Sequence, residues 1–416
     1  MKSLSRFQQM LMVDALFEGG RMFVGATSVT YLLHSGLSLS QIAFLKSIQA
    51  ITVLLGEVPT GVLADSIGRK KSLLISSLCA ILGFALYFFG NGFSLFILAE
   101  IFTAFSLCFW SGAFEALAID EAKLEKTPGE IDRFFHLNQS INSTAVLIFG
   151  FLGGVLGNAG LNFPYLAAIG AYLAMTALLW TIPETAQIHT KIQAAGDAAK
   201  SSLANMKKHL KAVFVQGVLH PALAPFFIAN ILIQFSLQPI LHYWQPYFQN
   251  LNPQLGTEQQ GLIFSAYCGT SALFGWAYAK HSHKPLLRSA KMTLVLFTIF
   301  SVLYTLLGQQ TPWMVAVGLF CLLQGILSVA RTSLGVRMNE NIDSASRASI
   351  LSSLSLVSRL GMVGALAVIG QFLPVEKSAD STAVVALYKF FGLSSIGLVL
   401  FIVLGLLLNQ KKKVQI

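Results

Sequence analysis

Residues 39–90 read LSQIAFLKSIQAITVLLGEVPTGVLADSIGRKKSLLISSLCAILGFALYFFG. Two apolar runs, each near the roughly 20 residues that a helix needs to cross a bilayer, meet at a short hinge holding Gly61, Asp65, Gly68, Arg69, Lys70 and Lys71. The whole chain follows the same plan. Of its 416 residues 55% are hydrophobic and only 11% charged, against the roughly 25% charge typical of soluble domains. Lipid must therefore cover most of its surface.

Reading outward from the hinge for similar runs predicts an all-α membrane protein of twelve transmembrane helices. They are expected near 8–33, 39–64, 71–90, 94–119, 136–158, 163–182, 221–249, 258–279, 289–308, 312–335, 347–373 and 384–408. The connections alternate in charge. Lys2 and Arg6, the Arg69–Lys71 cluster, Lys123, Lys126 and Arg133 fall on one side. Lys191, Lys200, Lys207, Lys208 and Lys211 fall there too, with Lys280, Lys284, Arg288, Lys291, Arg337, Arg347 and the Lys411–Lys413 tail. Of the 28 Lys and Arg only Lys377 lies in an opposite loop, and Arg21, Lys46, Arg331, Arg359 and Lys389 lie within the apolar runs. Basic loops stay in the cytoplasm, so both termini are expected there, and no cleavable leader is expected. The longest polar interruption, 184–220, divides the runs six and six. It is expected to be an amphipathic cytoplasmic linker between a bundle at 1–183 and a pseudo-symmetric one at 221–416, as in transporters built from repeats.

Several function classes are excluded at this point. The net charge of +10 forms no basic face with interleaved aromatics, so nucleic acid is not an expected partner. The cysteines Cys79, Cys108, Cys268 and Cys321 all sit in apolar runs without a CxxC pair. They predict neither disulfides nor a metal. The P-loop pattern is absent, so direct ATP drive is not expected. The eight histidines are scattered; no enzyme and no cofactor is expected.

The hinge itself carries a motif. Gly61 is expected to let two helices approach closely, Asp65 to cap or pair at a helix end, Gly68 to make the turn, and Arg69 to supply a fixed cation. Gly61-Val-Leu-Ala-Asp65-Ser-Ile-Gly68-Arg69-Lys70 resembles the cytoplasmic loop signature G-x-x-x-D-x-x-G-R-K of the major facilitator superfamily (MFS) of secondary transporters. Glu57-Val-Pro-Thr-Gly61, Ser111-Gly-Ala-Phe-Glu115-Ala-Leu-Ala-Ile-Asp120, Tyr243-Trp-Gln-Pro-Tyr247 and the start of run eleven at Arg347 resemble a bacterial subgroup, over roughly residues 30–400. The resemblance implies alternating access in the bacterial inner membrane, a monomer, and a gating latch of Asp65 and Arg69 with Asp120 as partner acid. Equally, Asp65 and Asp120 would serve simply to satisfy buried helix ends. The sequence departs from the family's proton antiporters: the fourth run lacks their arginine motif, and the fifth has Gly150, Gly153, Gly154 and Gly157 but no proline.

Charges inside apolar runs are costly and mark function or pairing. Asp14, Glu18 and Arg21 stand at i, i+4 and i+7 on one face of the first run. With Glu100 in the fourth they are the proton-coupling candidates; alternatively they form a charge network fixing the first helix. Asn230, Gln234, Gln238 and His242 step by four along the seventh run, and the three amides are read as a wall of the solute site or as interhelical hydrogen bonds. Tyr267, Gln324, Arg331 and Arg359 complete the solute-binding set. The two arginines suit a carboxylate, or would pair with acids of the first half. The expected function is secondary transport of a small organic solute, zwitterionic or carboxylate-bearing (a siderophore-like metabolite is one case), coupled to protons. Multidrug efflux is the rival within the class, and a membrane sensor the rival outside it.

Overall fold

A computed structural model describes residues 5–124, 130–182, 223–282, 284, 289–309, 311–340, 342, 347–373 and 381–409. Among these residues there are fifteen α-helices and no strand. The first eight are α1 (Arg6–Met22), α2 (Ser28–His34), α3 (Leu39–Ile67), α4 (Arg69–Phe89), α5 (Phe93–Trp110), α6 (Ala113–Leu124), α7 (Glu130–Ala159) and α8 (Phe163–Thr181). The others are α9 (Ala224–His242), α10 (Trp244–Leu251), α11 (Thr257–His281), α12 (Ala290–Leu307), α13 (Trp313–Glu340), α14 (Arg347–Phe372) and α15 (Ser381–Asn409). The expected linker and both chain ends lie outside the described residues.

Every run expected to be helical is helical, but three are broken in two. The first parts into α1 and α2 at 23–27. The fourth parts at Ser111-Gly112, where Gly112 takes φ +75°, a conformation open to glycine and strained for other residues. The seventh parts at Tyr243. Tyr243 takes φ −121° and ψ 12°, off the helical backbone, and Pro246 has no N–H to give to the carbonyl four residues back, which weakens the helix there. These kinks were missed because apolar content continues across each of them.

Nine stretches among the described residues are long and apolar enough to cross a membrane: Leu39–Glu57, Arg69–Phe89, Phe93–Ile119, Arg133–Ala159, Phe163–Thr181, Ala224–His242, Trp313–Met338, Ser353–Phe372 and Thr382–Val399. Lys291–Leu307 is a shorter apolar helix. α1 falls short because it has 17 residues and carries Asp14, Glu18 and Arg21. α11 dilutes its apolar residues with Gln259, Gln260, Ser265, Thr270 and Ser271. Large apolar side chains such as Phe89, Trp180, Leu273, Trp276 and Met314 stand more than half exposed. Lipid, not water, is the solvent that makes such a surface favourable.

The chain forms two compact units. Unit 1 comprises Met1–Leu37, Ile48–Met206 and Gly256–Ser265; unit 2 comprises Ser38–Ser47, Lys207–Leu255 and Ala266–Ile416. The division differs from a single cut after the sixth run: the start of α3 belongs to unit 2 and the start of α11 to unit 1. Within unit 1, α1 packs on α7 and α8, and α4 on α5 and α8. Phe17 stacks on Trp110 with ring centroids 3.7 Å apart. Within unit 2, α9 packs on α14 and α15, and α12 on α13 and α15.

Candidate functional site

In unit 1 the three charges of α1 do not act as one stripe. Asp14, 5% exposed, accepts hydrogen bonds at Oδ2 from Nδ2 of Asn138 and, at 2.6 Å, from Nδ2 of Asn142, both on α7. Glu18 and Arg21 instead pair with each other, Arg21 Nη2 lying 2.7 Å and Nε 3.0 Å from Glu18 Oε2. That pairing within one helix neutralises both charges, and the immediate partners of Asp14 are neutral amides. Glu100 stands apart from this group. It is buried between α4 and α5, where Tyr87 donates to Oε1 and Thr103 lies 3.4 Å from Oε2. Tyr165 stacks on Tyr87 at 4.9 Å, and the Tyr31 hydroxyl donates to the Tyr87 carbonyl. The four acids and bases expected to act together are thus in two places.

The hinge residues divide similarly. Gly68 takes φ +104° at the head of α4, so the turn requires glycine there. Arg69 Nη1 donates to the Ala116 carbonyl on α6 at 2.9 Å. Lys70 Nζ reaches the Ile182 carbonyl just beyond α8, where a cation complements the helix dipole. The side chains of Asp65 and Asp120 lie outside the described ones. At Gly61 an added Cβ would meet nothing within 4 Å among the described residues, so no close approach is seen there. Close packing occurs on α7 instead. A Cβ at Gly154 would stand 2.5 Å from Gly261 Cα and 2.7 Å from the Thr257 carbonyl oxygen, and one at Gly153 would strike the Phe23 carbonyl. This glycine face lets the first turns of α11 lie against α7. Around it Ser265 donates to the Leu147 carbonyl at 2.9 Å, Thr257 to Asn158 at 2.6 Å and Thr30 to Gln260 at 3.1 Å.

In unit 2 the amide stripe of α9 turns inward along its own helix. Asn230 donates to the Phe226 carbonyl and Gln238 to the Gln234 carbonyl, each at 2.9 Å. The other half of Gln238 is left over: among the described residues its Oε1 is buried without a partner, as are Gln324 Oε1 and the hydroxyls of Tyr267 and Tyr304. They border one run of aromatic rings. Tyr267 stacks on Phe320 at 4.6 Å, and Phe320 meets Trp244 at 6.0 Å and Phe248 at 5.4 Å. Tyr247 continues it onto Tyr388 at 4.2 Å. Gln324 sits one turn along α13 from Phe320. Arg331, farther along α13, is exposed and makes no ion pair among the described residues, while Arg359 is half-buried. Sequence reasoning missed Tyr304, Asn138 and Asn142. The i, i+4 spacing of the two asparagines in an apolar context was the available signal.

The family model described as the Major Facilitator Superfamily matches residues 14–366. The chain is 28% identical over 246 residues to the "Uncharacterized MFS-type transporter YxaM" of Bacillus subtilis (strain 168), an alignment spanning 57% of each protein. Among solved structures it resembles the nucleoside transporter NupG, with TM-score 0.73 at 13% identity over 99% of this chain and 100% of that one. It also resembles a D-xylose-proton symporter, with TM-score 0.67 at 16% identity over 95% and 97%. At these identities the structural likeness speaks for the fold alone. The family match covers most of the chain, and the chain belongs to the Major Facilitator Superfamily.

Proposed function

We propose that the protein is a secondary active transporter that moves a small organic solute, zwitterionic or carboxylate-bearing, across the bacterial inner membrane by alternating access. Twelve spans, cytoplasmic termini and action as a monomer complete this reading. The observation that carries it is the set of buried, unpartnered polar atoms in unit 2: Gln238 Oε1, Gln324 Oε1, Tyr267 OH and Tyr304 OH. A buried polar group without a partner costs stability, and a cost repeated four times beside one aromatic run is repaid when a solute supplies hydrogen-bond donors. Arg331, exposed on α13, offers a fork for a carboxylate. In unit 1 the α1 acids supply coupling to a cation gradient, with the proton as the expected ion. Gly68 and Arg69, with Asp65 and Asp120, form the cytoplasmic latch.

Comparative metabolite profiling tests this. Cells expressing wild type or Asp65→Asn are compared, with the pH gradient intact or collapsed, and cells and medium are both analysed. A compound redistributed only by wild type with an intact gradient names the solute and its direction. Redistribution that survives collapse of the gradient removes proton coupling, and no redistribution under any growth condition removes the transport reading.

A further inference from the structure

The α1–α7 contact holds a second set of unpartnered atoms. Asn138 and Asn142 stand one turn apart on α7, opposite Asp14, and both turn their N–H groups to the same carboxylate oxygen. Among the described residues the Oδ1 atom of each amide is left buried without a partner. Asn138 is 8% exposed and Asp14 5%, so an organic solute cannot enter between them, whereas a bare ion can. A carboxylate held in such a place by neutral amides makes no ion pair among the described residues, and burial of its charge is costly. Among the described side chains on the elements packed against α1, the charged or titratable groups are Arg133 and His136 on α7, Tyr165 and Tyr172 on α8 and Glu115 on α6. On α1 itself, Arg21 is held by Glu18. Tyr172 donates to the Phe17 carbonyl, and Arg133 lies over the Phe7 ring.

We propose that Asp14, Asn138 and Asn142 form the seat of the coupling cation, binding one small monovalent cation, Na⁺ or a proton, through the carboxylate and the amide carbonyls. This deepens the transporter reading and rests on it. Rotating an amide by half a turn exchanges its nitrogen and oxygen without moving a helix. With the cation absent the amides present N–H to the carboxylate, as seen. With Na⁺ bound they present both carbonyls to the ion. With a proton bound, one carbonyl accepts the new Asp14 O–H. Either cation cancels the charge and partners at least one carbonyl, and the α1–α7 contact survives in both states.

The test needs no solute. Purified full-length protein in detergent is unfolded thermally in NaCl or choline chloride at equal ionic strength, and its proton uptake is measured between alkaline and mildly acidic pH. A saturable stabilisation by Na⁺ that Asp14→Asn abolishes, and whose midpoint shifts about tenfold or more in Asn138→Leu and Asn142→Ala, the scale of losing a supporting group at an ion site, identifies sodium. No Na⁺ response, but a proton uptake that Asp14→Asn removes and whose midpoint moves in the asparagine variants, identifies the proton. Na⁺ response and proton uptake that match wild type in both asparagine variants overturn the proposal. Asn142 is half-buried, so its alanine variant carries the test even where Asn138→Leu misfolds. Failure here leaves the solute site of unit 2 standing, and failure of metabolite profiling leaves the seat standing.

Discussion

Replacing Gly154 by leucine should force α7 and the first turns of α11 apart. The new Cβ would stand 2.5 Å from Gly261 Cα, 2.7 Å from the Thr257 carbonyl oxygen and 2.8 Å from Gly261 N. All three are backbone atoms, which cannot swing aside as a side chain would. Restoring ordinary contact near 3.4 Å needs a separation of about 1 Å, and overpacking of this kind costs about 1–3 kcal/mol. On the proposed alternating-access reading, that cost falls on one of the two states and moves their ratio by about 5- to 150-fold. The reporter is Thr30→Cys in a background without the four native cysteines. Thr30 is 3% exposed and bonded to Gln260 of the same contact. Labelling by a membrane-impermeant maleimide should accelerate at least about fivefold in Gly154→Leu. Gly170→Leu, whose Cβ would meet nothing within 4 Å, should leave the rate unchanged. An unchanged rate in folded, monodisperse Gly154→Leu would refute the reasoning.

Gln238→Leu and Gln324→Leu should raise or preserve thermal stability of the empty protein while abolishing solute movement, since each deletes an unpaired buried acceptor; a variant that unfolds readily and still transports would contradict this. Tyr87→Phe removes the donor to Glu100 and should destabilise by about 0.5–3 kcal/mol, the range for a hydrogen bond to a neutral or charged group, read as a lowered Tm; no change would contradict that hydrogen bond. Gly68→Ala should cost about 1–2 kcal/mol for the left-handed backbone, whereas Gly61→Ala, with open space around it, should be near neutral. Equal effects in a melting comparison of that pair would count against the geometry described.

The helical architecture was legible because apolar run length and loop charge are both written along the chain. The breaks at Ser111-Gly112 and Tyr243 were not, since hydropathy averages over a kink that one glycine or proline makes. The hinge was legible in part. Gly68 meets its backbone requirement, but close packing falls on α7, where the glycine face around Gly154 stands out only once the start of α11 is placed against it. At the sites the partners of the marked residues differ from those that spacing suggested. Spacing put Asp14, Glu18 and Arg21 on one face, yet a seven-residue face spans two turns, so Arg21 reached back to Glu18 and Asp14 turned to α7. Which side chain faces which is set by side-chain reach and by the helix across the contact, and neither is encoded in one helix's spacing.

The interlaced make-up of the two units has a consequence for biosynthesis. Residues 256–265 complete unit 1, yet they leave the ribosome only after α9 and α10 have been made. Until then the glycine face of α7 waits uncovered in the bilayer, open to lipid or to the insertion machinery. Residues 38–47 are made early and belong to unit 2, so they wait longer still for their neighbours, among them Tyr243, whose hydroxyl donates to the Leu39 carbonyl. The nascent chain therefore cannot mature half by half, and separately expressed halves would each lack the turns that the other half contributes to its unit.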